Sequence, residues 1–353
     1  MKRTLKYYLN KRLMFIIILT GIIFLLTVIS IGDGNFITKR GEYIPALGTY
    51  DSKTVPENIP FGFSFVVAGV LATIIPIYEF KFKMNKIVVD QVFSLPIKKE
   101  KYYLSKYIVG LIEVLIPVLV SLIYSFIRVV TSRHLYNLSY FLPLLICLVL
   151  VTSVIYSILT FSFTRANTIV DGMVNICFSA FFLLAVATIL RAMFAPESKA
   201  TTYEYIIYLP LWIVYDIFDC LMIQEAVNSV GFTYANKVIT YSEWSSLITY
   251  LVLGIISVFG LIYFAKKDKA EDSMQLSDSI FSYKFFVPYY IFFLSFIIGM
   301  ARVTLIDSIV YIGVAGFIGY VCYRRTIKIQ KIDLIFLFAS LIAGIIIGTI
   351  FEM

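Results

Sequence analysis

Long runs of uncharged or nearly uncharged residues recur along the whole sequence, and they restrict the fold more than any other feature. A helix crosses the hydrocarbon core of a bilayer in about 20 residues. Nine runs of about that length can be traced, with boundaries set to within a few residues: 13–31, 61–78, 107–127, 138–163, 169–190, 244–265, 285–301, 305–323 and 333–351. The sequence therefore predicts an all-α, polytopic membrane helix bundle of about nine transmembrane helices.

The end of the chain leaves an alternative count open. Residues 285–323 form two spans only if the chain turns around Arg302 to Asp307, and nine spans place the C-terminus outside. Eight spans with a re-entrant piece fit the hydropathy equally well. In the last run, Gly344 and Gly348 form a GxxxG pair, which predicts close helix packing.

Composition excludes an ordinary cytosolic enzyme, because 60% of the residues are hydrophobic and only 15% are charged. Soluble domains average about 45–50% apolar and about 25% charged residues. The chain has a single histidine, His134, and four scattered cysteines. A histidine-based triad, an HExxH zinc site and a disulfide framework therefore have no support.

The basic residues determine the predicted orientation. With the N-terminus in the cytoplasm, 21 of the 30 Lys and Arg residues fall on the cytoplasmic side of the nine spans. Cytoplasmic loops carry the Lys and Arg excess. We therefore expect a multi-pass protein of the cell membrane with a cytoplasmic N-terminus, and we expect no nucleic acid partner.

The N-terminus and two external stretches are among the segments outside the predicted spans. Residues 1–12 are basic and amphipathic, and the run after them is too long for a signal-peptide core. Residues 32–60 are predicted to form an external surface loop. In the external segment 191–243, Asp216 and Asp219 interrupt an apolar stretch, so we expect re-entrant or interfacial helices there.

The most informative segment connects the second and third spans. From Glu79 to Lys106 it reads EFKFKMNKIVVDQVFSLPIKKEKYYLSK. Helical spacing places Met84, Ile87, Val88, Gln91 and Val92 on one face, with Lys83, Lys86 and Asp90 elsewhere. Pro96 ends the helix. The pattern predicts a short cytoplasmic amphipathic helix suited to docking a partner.

This segment resembles the ABC-2 superfamily of ABC transporter permeases, in which a Glu ends the second span and a coupling helix precedes a Ser-Leu-Pro run, a basic residue and a Ser-Lys pair. The matching residues are Glu79, Asp90, Ser94, Leu95, Pro96, Ile97, Lys98, Ser105 and Lys106. The linker after residue 265 is similar to that of a Firmicute-type subgroup with extra C-terminal spans. The resemblance implies a connecting helix over 1–12, a six-span core over 13–265 with a coupling helix at about 81–106, a cytoplasmic linker over 266–284 and additional spans over 285–353.

The resemblance also implies a permease subunit that has no cofactor of its own. The sequence contains no GxxxxGK[ST] run, so ATP and Mg²⁺ would be bound by a separate cytosolic ABC ATPase. Other expected partners are a second permease subunit, in a homo- or heterodimer, and membrane lipid. The residues expected to couple the chain to the ATPase are Glu79, Asp90, Gln91, Ser94, Leu95, Pro96, Lys98 and Lys99.

Polar residues within the spans are candidates for a translocation path. They are Glu113, Asp171 and Asn175, and an intramembrane carboxylate usually faces protein or water. For each there is an alternative: Glu113 pairs with a neighbouring polar group, Asp171 reaches the headgroup level near Arg165, and Asn175 bonds between helices.

The leading hypothesis is the permease of an ATP-driven exporter that moves a peptide, a lipid or an antimicrobial compound by alternating access. This chain would not itself be an enzyme. The alternative is an ATP-independent secondary transporter, which predicts broken helices at matching positions of two repeats, and the sequence shows none. A membrane-embedded metalloenzyme is a third reading, but the sequence offers no cluster of ligands at metal-binding spacing.

Overall fold

The computed structural model describes most of the chain. The described residues are 2–31, 37–44, 49–56, 59–131, 141–194, 214, 224–228, 231–235, 241–275, 277, 279–300, 305–328 and 330–352. The helices are α1 (Lys2–Ile31), α2 (Ile59–Phe80), α3 (Lys86–Phe93), α4 (Lys99–Thr131), α5 (Phe141–Thr164), α6 (Ile169–Phe194), α7 (Tyr241–Ala265), α8 (Phe285–Met300), α9 (Leu305–Arg324) and α10 (Lys331–Glu352). A 3₁₀ turn covers Lys81–Met84 and a π-type turn covers Ile280–Lys284.

Seven helices within the described part are long and apolar enough to cross a membrane. They are the helices that contain α1, α2, α4, α5, α7, α8 and α10. The two other predicted spans are also helical, as α6 and α9, with shorter apolar stretches at Ile169–Leu183 and Ile312–Val321. The prediction of a polytopic helical membrane protein is confirmed at this level, and the exact number of spans stays a prediction.

The first helix is continuous. We predicted a connecting helix over residues 1–12 and a span over 13–31, but α1 runs without interruption from Lys2 to Ile31. The reason is local, since Lys2 to Thr20 contains neither Pro nor Gly to break the backbone hydrogen bonding.

The surface loop predicted over residues 32–60 contains regular strands in its described part. Strand β1 (Ile37–Ile44) pairs antiparallel with β2 (Thr49–Pro56), with Gly41 opposite Ser52. A second hairpin joins β3 (Gln224–Asn228) to β4 (Gly231–Ala235). Neither hairpin was predictable from the sequence, because the residues of the strands do not alternate regularly between apolar and polar. The fold is therefore helical with two small hairpins, and the helices predicted between residues 203 and 223 lie outside the described residues except for Val214.

The chain forms two compact units that interleave along the sequence. The first consists of Met1–Glu79, Ile97–Ile158 and Ile207–Lys266. The second consists of Phe80–Pro96, Leu159–Ile206 and Lys267–Met353. The residues that connect α2 to α3 thus belong to the same unit as the last three helices.

Buried hydroxyl groups join α1, α2 and α4 in the first unit. The Ser64 and Ser121 hydroxyl oxygens are 2.8 Å apart, and Thr27 donates to Ser121 at 3.1 Å. All three side chains are fully buried. Between helices in an apolar medium such contacts replace the hydrophobic driving force that water supplies elsewhere.

In the second unit α8 packs closely along α10. A Cβ atom on Gly344 would lie 2.5 Å from the carbonyl oxygen of Phe292, and one on Gly299 would lie 2.8 Å from the carbonyl oxygen of Ile345. Both contacts are to backbone, which cannot rotate away. The close packing predicted from the GxxxG pair is therefore found at Gly344, within the chain itself.

Replacing Gly344 with alanine should destabilise the protein. Overpacking of this kind costs about 1–3 kcal/mol, so the thermal midpoint of the full chain in detergent micelles should fall by several degrees. Gly313→Ala is the matched control, because no described atom lies within 4 Å of a Cβ at Gly313 in the neighbouring helix α9. Equal midpoints for the two variants would contradict the packing described for α8 and α10.

Candidate functional site

The α2–α4 connection, residues 81–98, is built from a 3₁₀ turn, a two-turn helix and a break. Asn85 ends the turn and caps α3, because its side-chain oxygen accepts hydrogen bonds from the backbone N–H groups of Ile87 at 3.1 Å and Val88 at 3.4 Å. Helix α3 ends at Phe93, three residues before Pro96, as predicted. The next helix, α4, begins at Lys99, so Lys99 to Lys106 extend the following span.

The predicted apolar face of this segment is partly wrong. Ile87 was assigned to that face but is 71% exposed, whereas Lys83 was assigned elsewhere and is buried. Besides Lys83, the buried positions are Phe82, Met84 and Val89. The reason is that Lys81–Met84 is a 3₁₀ turn and Asn85 has extended backbone angles, so the helical phase does not continue from Met84 into α3.

The exposed side of the connection combines apolar and polar groups. Ile87 and Leu95 are both exposed, Leu95 at 43%. The remaining exposed residues there are Lys81, Asn85, Lys86, Asp90, Gln91, Ser94, Pro96 and Lys98. Exposed apolar side chains ringed by polar ones are typical of protein interaction sites. Six of the eight residues predicted to couple the chain to an ATPase lie on this surface, and Lys99 is half-buried at the start of α4.

Glu79, the remaining residue of that set, lies in a buried ion-pair cluster of the first unit. Its Oε2 atom accepts a hydrogen bond from Lys106 Nζ at 2.7 Å, and its Oε1 atom lies 2.7 Å from Arg12 Nη2. The Glu79 side chain is fully buried. A carboxylate in the last turn of a helix opposes the helix dipole, and the two cations offset that repulsion.

Arg12 extends the cluster to two further side chains. Its Nη1 atom donates to the Tyr78 hydroxyl at 2.7 Å, and its guanidinium lies 4.4 Å from the centre of the Tyr78 ring. Its Nε atom is 3.8 Å from Glu113 Oε1. The cluster therefore joins α1, α2 and α4 with two cations and two carboxylates, a balanced set that makes burial of the charges tolerable.

Glu113 is the deepest member of this cluster in helix α4. It lies seven residues, about two helical turns, after Lys106, so both side chains project from the same face of α4. Glu113 is fully buried, and neither of its oxygens has a hydrogen-bond donor in the part of the chain that the structure describes. The Arg12 contact matches the alternative of a neighbouring polar partner, and the place of Glu113 on a translocation path stays a prediction.

Asp171 and Asn175 are engaged in contacts within the second unit. Asp171 accepts a hydrogen bond from the Tyr283 hydroxyl at 2.8 Å and one from Arg325 Nη2 at 3.4 Å. Asn175 donates to the carbonyl oxygen of Ser162 at 3.3 Å and lies at the same distance from the Ser282 hydroxyl. These contacts fit bonding between segments, and the path role of the two residues remains a prediction.

A half-open groove of about 280 Å³ lies between α4, α5 and α7 in the first unit. Its wall is almost wholly apolar, with Leu150, Val154, Ile255 and Phe259 among the lining residues. An apolar groove in the membrane-spanning part of a protein can accommodate a lipid chain or another helix.

Sequence reasoning missed two residues that organise these sites, Arg12 and Lys83. Arg12 was counted only as a basic residue near the end of a span, and Lys83 was placed off the apolar face of the predicted amphipathic helix. Arg12 is 67 residues before Glu79 in the sequence, and only helix packing brings them together. In the described residues there is no group of three or more His, Cys, Asp and Glu side chains that could hold a metal ion.

Comparisons with protein-family models, with curated proteins and with solved structures found no match. The functional assignment therefore depends on the residues and geometry of this chain.

Proposed function

We propose that this chain is the transmembrane permease subunit of an ATP-driven ABC exporter. In this proposal it moves a peptide, a lipid or an antimicrobial compound out of the cell by alternating access. A separate cytosolic ATPase supplies the energy, and this chain performs no catalysis. Seven helices of spanning length and composition supply the membrane part that such a role requires.

The observation that carries the proposal is the α2–α4 connection. It is a short capped helix between two spanning helices, with Ile87 and Leu95 exposed to solvent. Exposing two large apolar side chains is unfavourable in water, by about 25 cal/mol for each Å² of apolar surface. A partner that covers them gains that free energy, and the polar residues around them can fix its orientation.

The ion-pair cluster supports the proposal because it links the end of α2, where the connection begins, to the spanning helices α1 and α4. Glu79 is two residues before the connection in the sequence and is held by cations from α1 and α4. A force on the connection would act directly on the end of α2. The cluster would pass that movement to α1 and α4 as a unit, since separating its charges is costly.

The remaining elements of the proposal are the nucleotide site, the orientation in the membrane and the partners. The sequence has no P-loop, so ATP and Mg²⁺ belong to the ATPase. The connection faces the cytoplasm together with the N-terminus in a cell-membrane protein. A second permease subunit completes the transporter, and lipid or that subunit occupies the apolar groove.

The test is nucleotide turnover by the purified full-length chain in lipid nanodiscs. We expect no Mg²⁺-dependent ATP hydrolysis by the chain alone and clear hydrolysis after co-expression with a candidate P-loop ABC ATPase from the same source. The assay is run at physiological salt, where the Debye length of about 8 Å screens weak attraction of nucleotide to basic residues. Salt-resistant turnover by the chain alone, abolished by removing Mg²⁺, would contradict the proposal.

A further inference from the structure

Lys83 is a buried cation in the α2–α4 connection, and its partners lie far away in the sequence. It is only 6% exposed. Its ammonium donates to the carbonyl oxygen of Thr164 and lies 3.3 Å from Asp268 Oδ1. A buried ammonium is tolerated only with such partners. Asp268 comes from the linker after α7, so the linker contacts the base of the connection directly.

Asp268 contacts a second buried cation with its other oxygen. Asp268 Oδ2 lies 3.6 Å from Arg165 Nη2, and the Arg165 side chain is 3% exposed. Arg165 is in the turn between α5 and α6. One carboxylate therefore lies between two buried cations, one from the α2–α4 connection and one from the α5–α6 turn, and all three residues belong to the second unit.

Two further hydrogen bonds attach the linker to the same turn. The Ser277 hydroxyl donates to the carbonyl oxygen of Arg165. The backbone N–H of Met274 donates to the carbonyl oxygen of Asn167 at 3.0 Å, and Met274 has a φ of 66°. A non-glycine residue in the left-handed region is held there by its surroundings. These bonds hold Met274 and Ser277 of the linker against the α5–α6 turn.

The linker leads directly into the C-terminal helices. The π-type turn Ile280–Lys284 precedes α8, and its Tyr283 hydroxyl bonds to Asp171 at the start of α6. Tyr283 also belongs to the buried core formed with α9 and α10. A continuous series of contacts therefore connects the C-terminal helices to Lys83.

We propose that Asp268 is a positioning residue through which the linker and the C-terminal helices α8–α10 hold the α2–α4 connection in place. Without the Asp268 carboxylate, Lys83 and Arg165 lose the anion that both contact, and repulsion between the two cations is no longer offset. Asp272 acts on Lys83 only as a further, weaker charge. The connection would then detach from the α5–α6 turn. An effect of Asp268 on ATPase binding rests on the function proposed above. The coupling between the linker and the α2–α4 connection does not depend on that function.

Amide hydrogen exchange of the purified full-length chain in nanodiscs tests this coupling without any ATPase. Asp268→Asn should raise the exchange rate of peptides covering residues 81–96 by about tenfold or more, because local opening of that segment becomes easier. Asp268→Glu keeps the charge and should restore slow exchange. Glu271→Gln is the matched control, since Glu271 is an exposed acid in the same linker.

A second variant, on the other side of the contact, tests the inference even if Asp268→Asn does not fold. Lys83→Gln removes the opposite partner and should raise exchange in residues 267–275 of the linker. Unchanged exchange over 81–96 in folded Asp268→Asn, or equal changes in Glu271→Gln, would overturn the inference.

A second measurement separates this inference from the proposed function. With the co-expressed ATPase bound, Asp268→Asn should weaken ATPase binding by about tenfold, and the KM for ATP should not change, because Asp268 does not contact nucleotide. Faster exchange with unaltered ATPase binding would keep the coupling and contradict the ATPase contact. Weaker ATPase binding with unaltered exchange would overturn the coupling and leave the proposed function standing.

Discussion

Replacing Glu79 with alanine is expected to destabilise the protein more than any other single change considered. The substitution leaves the buried ammonium of Lys106 and the guanidinium of Arg12, whose side chain is 20% exposed, without their shared carboxylate. Breaking a buried ion pair by removing one partner costs about 3–5 kcal/mol. Chemical unfolding of the full chain in detergent micelles, followed by tryptophan fluorescence or circular dichroism, should show that loss.

Glu100→Ala is the control for the Glu79 variant. Glu100 pairs with Lys266 at 3.7 Å in the same unit, but the two side chains are 36% and 56% exposed. Exposed pairs contribute only about 0–1 kcal/mol, so this variant should unfold almost as the native chain does. If both variants lost the same free energy, the cluster around Glu79 would not be the buried network described above.

Removing the exposed groups of the α2–α4 connection is expected to weaken ATPase binding and reduce transport while leaving the protein folded. In the double variant Asp90→Ala, Leu95→Ala, both changed side chains are exposed, so the fold loses little. Truncating an interface residue at the centre of a contact costs more than about 1 kcal/mol, so the two changes together should cost more than about 1.4 kcal/mol. We therefore expect the affinity for the ATPase to fall by at least about tenfold, measured by titration of the ATPase onto nanodisc-bound permease.

Lys328→Ala provides the comparison for that variant, because Lys328 is exposed in the turn between α9 and α10, outside the connection. It should bind the ATPase as the native chain does. Full binding and full transport by the double variant would exclude the connection as the ATPase contact.

The helices of this protein were predictable from sequence because each depends on local information. An apolar run of spanning length must satisfy its backbone hydrogen bonds internally, so it becomes a helix wherever it occurs. The break after α3 was equally local, since Pro96 disfavours a helical conformation in Leu95. The two hairpins were missed because pairing of polar strands leaves no periodic pattern to detect.

The site was harder to predict because its main features depend on packing and on a change of helical phase. Because a 3₁₀ turn precedes Asn85, Lys83 is buried and Ile87 is exposed, the reverse of the prediction. A single helical wheel drawn through the segment cannot show this change of phase. The partners of Glu79 come from two other helices. The family resemblance drew attention to Glu79, and its place within a span drew attention to Glu113, but neither could show that Arg12 lies next to both.

Crosslinking from Leu95 tests the central claim most directly. In a chain whose four native cysteines are replaced, a single cysteine at Leu95 carries a photoreactive group and is irradiated with the co-expressed ATPase bound. We predict a covalent product with the ATPase from this position. We predict none from a cysteine at Ile29, a 75% exposed residue near the C-terminal end of α1. Absence of the product from Leu95, while ATP-driven transport proceeds normally, would contradict the assignment of the α2–α4 connection as the ATPase contact.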